Sequence, residues 1–294
     1  MTSNRSSWNR RRFLHTSIAG GAALALGPRL AAASALGAND RIRVGVVGTG
    51  GRARYLMRLL KDLPGCEMVA VSDVYDLRTA AEREHRPAAV PAASRVRTAD
   101  LLADEPEDGP ATLGRIATAA LSPQERNVTA RDLRAIFLHG YRSFVTLSSS
   151  RRETGRLLVD LAEPAAGPVL IHCTAGKDRT GWVAALVLLS LNVDIDDVMS
   201  DYLASGPEVA ALFAPYRELV EAEGGDVSGL DVALAVFPEY LEASLAAMAA
   251  EFGSLDRYLT SGLGLPADFR ERLARRLLVG AAAKARPVPR TLDP

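Results

Sequence analysis

A chain of 294 residues with 48% apolar side chains is long enough to bury the core of one large domain or two small ones. Lysine plus arginine (35) equals aspartate plus glutamate (35), so no overall field favours nucleic acid or a polybasic contact with a membrane surface. Any selectivity for anions has to be local.

Residues 1–35 are set aside from the fold. Arg10-Arg11-Arg12-Phe13-Leu14 precedes a weakly apolar run over 18–26 and the small-residue stretch Ala31 to Ala35. A basic start, a short apolar middle and an Ala-x-Ala end describe a cleaved export signal, and the paired arginines point to the twin-arginine route. The expected destination is the periplasm or the exterior, with no stable membrane span after cleavage.

From residue 41 the chain reads strand, glycine turn, helix, strand. Ile42, Val44, Val46 and Val47 lead into Gly48-Thr49-Gly50-Gly51-Arg52-Ala53; apolar residues at helical spacing follow, and then Met68-Val69-Ala70-Val71, closed by Ser72-Asp73. Gly48, Gly50 and Asp73 stand where a dinucleotide fingerprint would have its turn and its ribose acid. Residues 79–130 read as irregular or short helices. Helical periodicity returns over 132–144 and 153–161, a brief strand occupies 169–171, and an apolar helix runs over 182–191. From 194 to 280 the pattern is helical, with breaks near Gly206-Pro207, Gly224-Gly225 and 262–266.

The strand at 169–171 delivers His172-Cys173-Thr174-Ala175-Gly176-Lys177-Asp178-Arg179-Thr180-Gly181. Hydrolysis of a phosphate ester here needs a nucleophile, a holder for charged oxygens and an acid for the leaving alkoxide. Cys173 supplies the nucleophile, and a helix N-terminus with Lys177 and Arg179 nearby favours its ionised form. Five residues between Cys173 and Arg179 let the amides of Thr174, Ala175, Gly176, Lys177 and Asp178 curl around one anion while the guanidinium closes the ring. Thr180 can hydrogen-bond the thiolate or cap the helix, and His172 orients the loop. A buried cysteine before an ordinary helix cap would not explain two cations at a helix start. The only other cysteine, Cys66, permits one bridge but does not argue for it, and His15, His85, His139 and His172 are too scattered for a zinc site.

His-Cys-x5-Arg-Thr-Gly resembles the signature of the protein-tyrosine-phosphatase superfamily, in the version of the bacterial protein-tyrosine and lipid phosphatases that include the mycobacterial secreted enzymes of the B type. The resemblance extends to Tyr75-Asp76-Leu77-Arg78-Thr79 with Glu82, Tyr141-Arg142-Ser143-Phe144, Asp201-Tyr202-Leu203, Gly253-Ser254-Leu255 and Tyr258-Leu259, and covers roughly residues 74–280. It implies an α/β fold in which many helices surround a small parallel or mixed sheet, and an acid at Asp178 or Asp100, with Asp104 and Asp108 as alternatives. It implies no cofactor, and a phosphorylated protein or phosphoinositide as substrate, with Lys177 as a cation for a second phosphate. Residues 41–73 instead resemble the opening of the glucose-fructose oxidoreductase and inositol dehydrogenase family, whose catalytic lysine motif and β-sheet substrate domain do not follow. The expected organisation is an export signal (1–35), a Rossmann-like unit (41–75), a phosphatase-like domain (76–280) and a tail (281–294). The rival readings are a phosphate-binding module without turnover and a nicotinamide-binding fragment.

Overall fold

The computed structural model describes residues 42–43, 66–67, 73–87, 94–106, 111, 129–164, 167 and 169–278. The export-signal segment, Gly48, Gly50, Asp108 and the tail lie outside them. The chain divides into two compact units, Met1–Ile42 and Arg43–Pro294, and the second holds the architecture described below.

Three short strands form a parallel sheet in the order β2-β1-β3: β1 (Asp73–Asp76), β2 (Arg95–Thr98) and β3 (Val169–His172). The register sets Asp76 beside Thr98 on one side and His172 on the other, so all three strands end level. Hydrogen bonds from Leu77 N to His172 O (2.9 Å) and from Ala99 N to Asp76 O (2.9 Å) carry the ladder one residue further. In an open parallel sheet, ligands bind beyond these carboxyl ends.

The sheet contains an element that the sequence reading did not anticipate and another that it misplaced. β2, with the sequence Arg-Val-Arg-Thr, offers one apolar residue in four and gives no alternation to read. β1 begins at Asp73, which the sequence reading placed after a strand at 68–71, a segment outside the described residues. Its four residues are all buried although both ends are acidic. The carboxylates are matched: Asp73 accepts from Arg95 Nε (2.7 Å) and Arg97 Nε (3.0 Å), and Asp76 from Arg78 Nε (2.8 Å) and Nη2 (2.6 Å).

Helices enclose the sheet. α1 (Ala80–His85) starts with a capping box, in which the Thr79 side chain accepts from Glu82 N and Glu82 accepts from Thr79 N. α2 (Ala130–Thr146) starts with another, made by Thr129 and Asp132, and buries Leu133, Phe137, Tyr141 and Phe144 on one face. α3 (Ser148–Ala162) has no cap from Leu147, and Asp104 takes the role by accepting from Ser149 N (2.7 Å). Then follow α4 (Arg179–Ser190), α5 (Ile195–Leu203), α6 (Gly206–Ala222), α7 (Ser228–Leu234), α8 (Pro238–Phe252), α9 (Leu255–Arg257, continued as a π-turn over Tyr258–Gly262) and α10 (Phe269–Leu277). Trp182, Val183 and Leu186 of α4 pack with α3, α2 and α8 in one core, where Phe137 stacks on Tyr240 at 5.6 Å between ring centroids. Each large side chain buried there stabilises the fold by roughly 1.5–3 kcal/mol. The fold is therefore α/β, helix-rich around a small parallel sheet. Among the described residues no single helix is long and apolar enough to cross a membrane.

Candidate active site

The site lies where the three strands end. β3 stops at His172, Cys173 follows, and residues 174–178 loop into the first turn of α4 at Arg179. Gly176 turns the loop at φ +80°, a conformation that side chains with a Cβ resist. Cys173 is a free, buried thiol. Its neighbour His172 is buried and 3.8 Å from Asp76, and its Nδ1 lies 3.2 Å from the Cys173 carbonyl. Burial lowers the imidazole below its ordinary value despite that carboxylate, so His172 is neutral at physiological pH.

Arg179 is almost wholly buried, at 1% exposure, and its guanidinium faces Glu82 as a fork. Nη1 donates to Glu82 Oε2 at 2.6 Å and Nη2 to Oε1 at 2.7 Å, while the Leu77 carbonyl accepts a longer bond of 3.3 Å. Glu82 also accepts from Thr79 N and from the Thr174 hydroxyl, tying β1's exit, the loop and α1 together. Burial pushes the Glu82 carboxyl up, but the hydrogen bonds and charge of Arg179, with Thr174 and Thr79, outweigh it and hold the group below the usual carboxylate range. Nothing in the sequence reading gave Glu82 a role. Its signal was local: Thr79-x-x-Glu82 is a capping box, with the arginine grip added to it.

Lys177 and Asp178 turn inward. Lys177 is 1% exposed, its ammonium donates to Asp178 Oδ1 at 2.7 Å, and it sits 4.7 Å from the centroid of the Phe137 ring. Asp178 occupies the N-cap position of α4 without a capping bond, and its Oδ1 accepts from Lys177 and from the Tyr141 hydroxyl (2.8 Å). Lys177, expected as a cation for a second phosphate, thus has its ammonium on Asp178 and the Phe137 ring. Thr180's hydroxyl is buried and lacks a hydrogen-bond partner, leaving a donor one residue past Arg179.

Asp100 follows β2 by two residues, so the strand register that was invisible in the sequence is what carries it to the site. It accepts from Leu102 N (3.1 Å) and lies 3.8 Å from Arg83. Burial raises its carboxyl above the ordinary value, with Leu102 N, Arg83 and Arg179 acting against that rise. Asp104 is committed to the α3 cap. Asp73 opens β1, at the end of the sheet away from the loop, in its pairing with Arg95 and Arg97. No group of three His, Cys, Asp or Glu side chains arranged to hold a metal ion occurs among the described residues.

Residues 52–279 match the tyrosine phosphatase family over their whole span. The chain belongs to that family. This phosphatase is 32% identical over 213 residues to the triple specificity protein phosphatase PtpB of Mycobacterium tuberculosis, covering 65% of this chain and 76% of that one. A putative tyrosine-protein phosphatase of Cupriavidus necator is 29% identical over 76% of this chain and 81% of its own, and a tyrosine-protein phosphatase of Nostoc commune is 33% identical over 41% and 51%. The family match begins at residue 52, upstream of residue 74 where the resemblance in the sequence starts, and so takes in part of the stretch that resembles an oxidoreductase.

Proposed function

We propose that this phosphatase hydrolyses phosphate monoesters through a thiophosphate formed on Cys173. The observation that carries the proposal is the loop itself: Cys173 and Arg179 are held on one turn at the carboxyl end of the sheet, with Arg179 fixed by Glu82. The Cys173 thiolate attacks phosphorus, the P–O bond to the leaving group breaks, and Asp100 gives that oxygen its proton. Water then attacks the phosphorus, its proton returns to Asp100, and the S–P bond breaks to release phosphate and the thiolate. Arg179 and the loop amides carry the charge on the phosphoryl oxygens, and Thr180 donates to the departing sulfur. Asp178, with Oδ1 already taken by two donors, serves the loop's shape, and the partly exposed Asp100 supplies the acid. The substrates proposed are phosphotyrosine and, beyond it, phosphoserine or phosphothreonine or phosphoinositides; the triple specificity of the mycobacterial relative supports a range wider than one class. Export by the twin-arginine route would place this activity outside the cytoplasm.

The test is release of phosphate from para-nitrophenyl phosphate with chelator present, beside Cys173→Ser. Turnover that survives chelation and disappears in the variant, while inorganic phosphate still binds, supports the mechanism. Undiminished turnover by Cys173→Ser would refute it.

A further inference from the structure

A line of hydrogen bonds joins the phosphate loop to two helices distant in sequence. Tyr141 of α2 donates to Asp178 Oδ1 at 2.8 Å, and its oxygen lies 2.6 Å from the hydroxyl of Tyr202 in α5. A phenol has one hydrogen, so with Tyr141's given to Asp178 the second bond is donated by Tyr202. The chain runs Tyr202 to Tyr141 to Asp178, and the Lys177 ammonium closes it on the same carboxylate oxygen at 2.7 Å. None of the four side chains is more than slightly exposed.

The surroundings are shaped to keep this line in place. A Cβ at Gly181, in the first turn of α4, would come within 3.0 Å of the Tyr202 ring, so the missing side chain is what lets Tyr202 lie against the start of the helix. Tyr141 meets Tyr202 edge-on at 6.3 Å and Tyr240 at 5.3 Å, which fixes its ring from two sides. Burying an ammonium, a carboxylate and two phenols is a costly way to fill a core, since apolar residues of the same volume do as well or better. Asp178 also forgoes the ordinary capping bond to join it.

Resting on the reading of this loop as a phosphate cradle, we propose that Tyr141 and Tyr202 are positioning residues: through Asp178 and Lys177 they fix the backbone that follows Gly176, so that its amides already point at the phosphoryl group. The two loop residues that this line pins, 177 and 178, immediately follow the left-handed turn at Gly176, where the chain has most freedom to lose. Lys177 then acts on every phosphate ligand equally, through the loop, and not on a second phosphate.

The experiment uses the Cys173→Ser chain, in which binding is read without turnover, and titrates inorganic phosphate and pyrophosphate by calorimetry. Tyr141→Phe keeps the ring and removes the donor to Asp178; it should weaken phosphate about 10-fold, and Tyr202→Phe, which removes only the outer bond, about 3-fold. In the Cys173 chain the same changes should raise KM more than they lower kcat. Lys177→Met should weaken phosphate and pyrophosphate by the same factor. Phosphate affinities within twofold of the parent in both tyrosine variants, whatever their melting temperatures, would overturn the proposal and leave the tyrosines as core. A loss confined to pyrophosphate in Lys177→Met would overturn it in favour of a second-phosphate role. A Cys173→Ser parent that binds no phosphate would overturn the cradle reading, and the proposal with it. If Tyr141→Phe fails to fold, Tyr202→Phe and Lys177→Met decide the matter.

Discussion

Replacing Glu82 with glutamine exchanges the carboxylate that grips Arg179 for an amide of the same shape. Arg179 is 1% exposed, so water cannot take over the lost charge. Removing one member of a buried pair costs about 3–5 kcal/mol, and because the amide oxygen can still accept one bond the lower end, about 3 kcal/mol, is expected. For a chain of this size that corresponds to a fall in Tm of about 6–12 °C. A guanidinium released from its fork also loses its aim, and a misplacement of the order of 1 Å can cost about 100-fold in kcat/KM. The pH dependence gives an independent check. Glu82 titrates below its unfolded value, near pH 4.3, so its contribution is complete above that pH and disappears as pH falls through the folded-state value. The gap in Tm between parent and Glu82→Gln should be widest near neutrality and close in acid below about pH 4. Thermal melts across pH with steady-state kinetics test both arms. A variant that melts within about 2 °C of the parent at neutral pH, roughly 1 kcal/mol or less, and keeps its kcat/KM would refute the argument.

Three further substitutions test the roles proposed for Asp100, Asp104 and Gly176. Asp100→Asn should lower kcat on alkyl phosphates by about 100-fold or more and remove the decline in rate as pH rises through the raised Asp100 value, because the acid works only while protonated; an unaltered pH–rate profile would exclude it. Asp104→Ala should cost about 1 kcal/mol through the lost α3 cap and leave kcat alone, so a collapse in kcat would transfer the acid's role to it. Gly176→Ala meets no steric obstacle, but its positive φ strains any other residue by about 1–2 kcal/mol, which should appear as weaker phosphate binding; unaltered affinity would show that the turn relaxes freely.

The loop proposed to cradle phosphate was legible because its parts are contiguous: cysteine, glycine and arginine lie within seven residues, 173–179. The long helices were legible from their apolar spacing; Leu133, Phe137, Tyr141 and Phe144 mark one face, and α2 extends only two residues beyond 132–144 at either end. The supports of the loop were not. Glu82 looks like a helix cap until α1 is brought against Arg179, and Tyr141 and Tyr202 look like core aromatics until the hydroxyl of Tyr141 meets Asp178 and that of Tyr202 meets Tyr141. β1 hid behind its aspartates, whose partners lie on another strand and beyond the turn. Lys177 shows the reverse: a lysine in such a loop looks available until the ring of Phe137 and the carboxylate of Asp178 are seen to enclose it.

The pairing of Lys177 with Asp178 and of Arg179 with Glu82 also sets how a substrate approaches. Each cation is answered by a carboxylate within 3 Å, so at rest these four side chains sum to no charge. A dianion far from the surface meets little attraction from them, and its capture should depend only weakly on ionic strength. In the proposed mechanism discrimination then begins at contact, where the phosphoryl group would share Arg179 with Glu82, and an anion too bulky or too weakly charged to compete with that carboxylate would gain little by arriving.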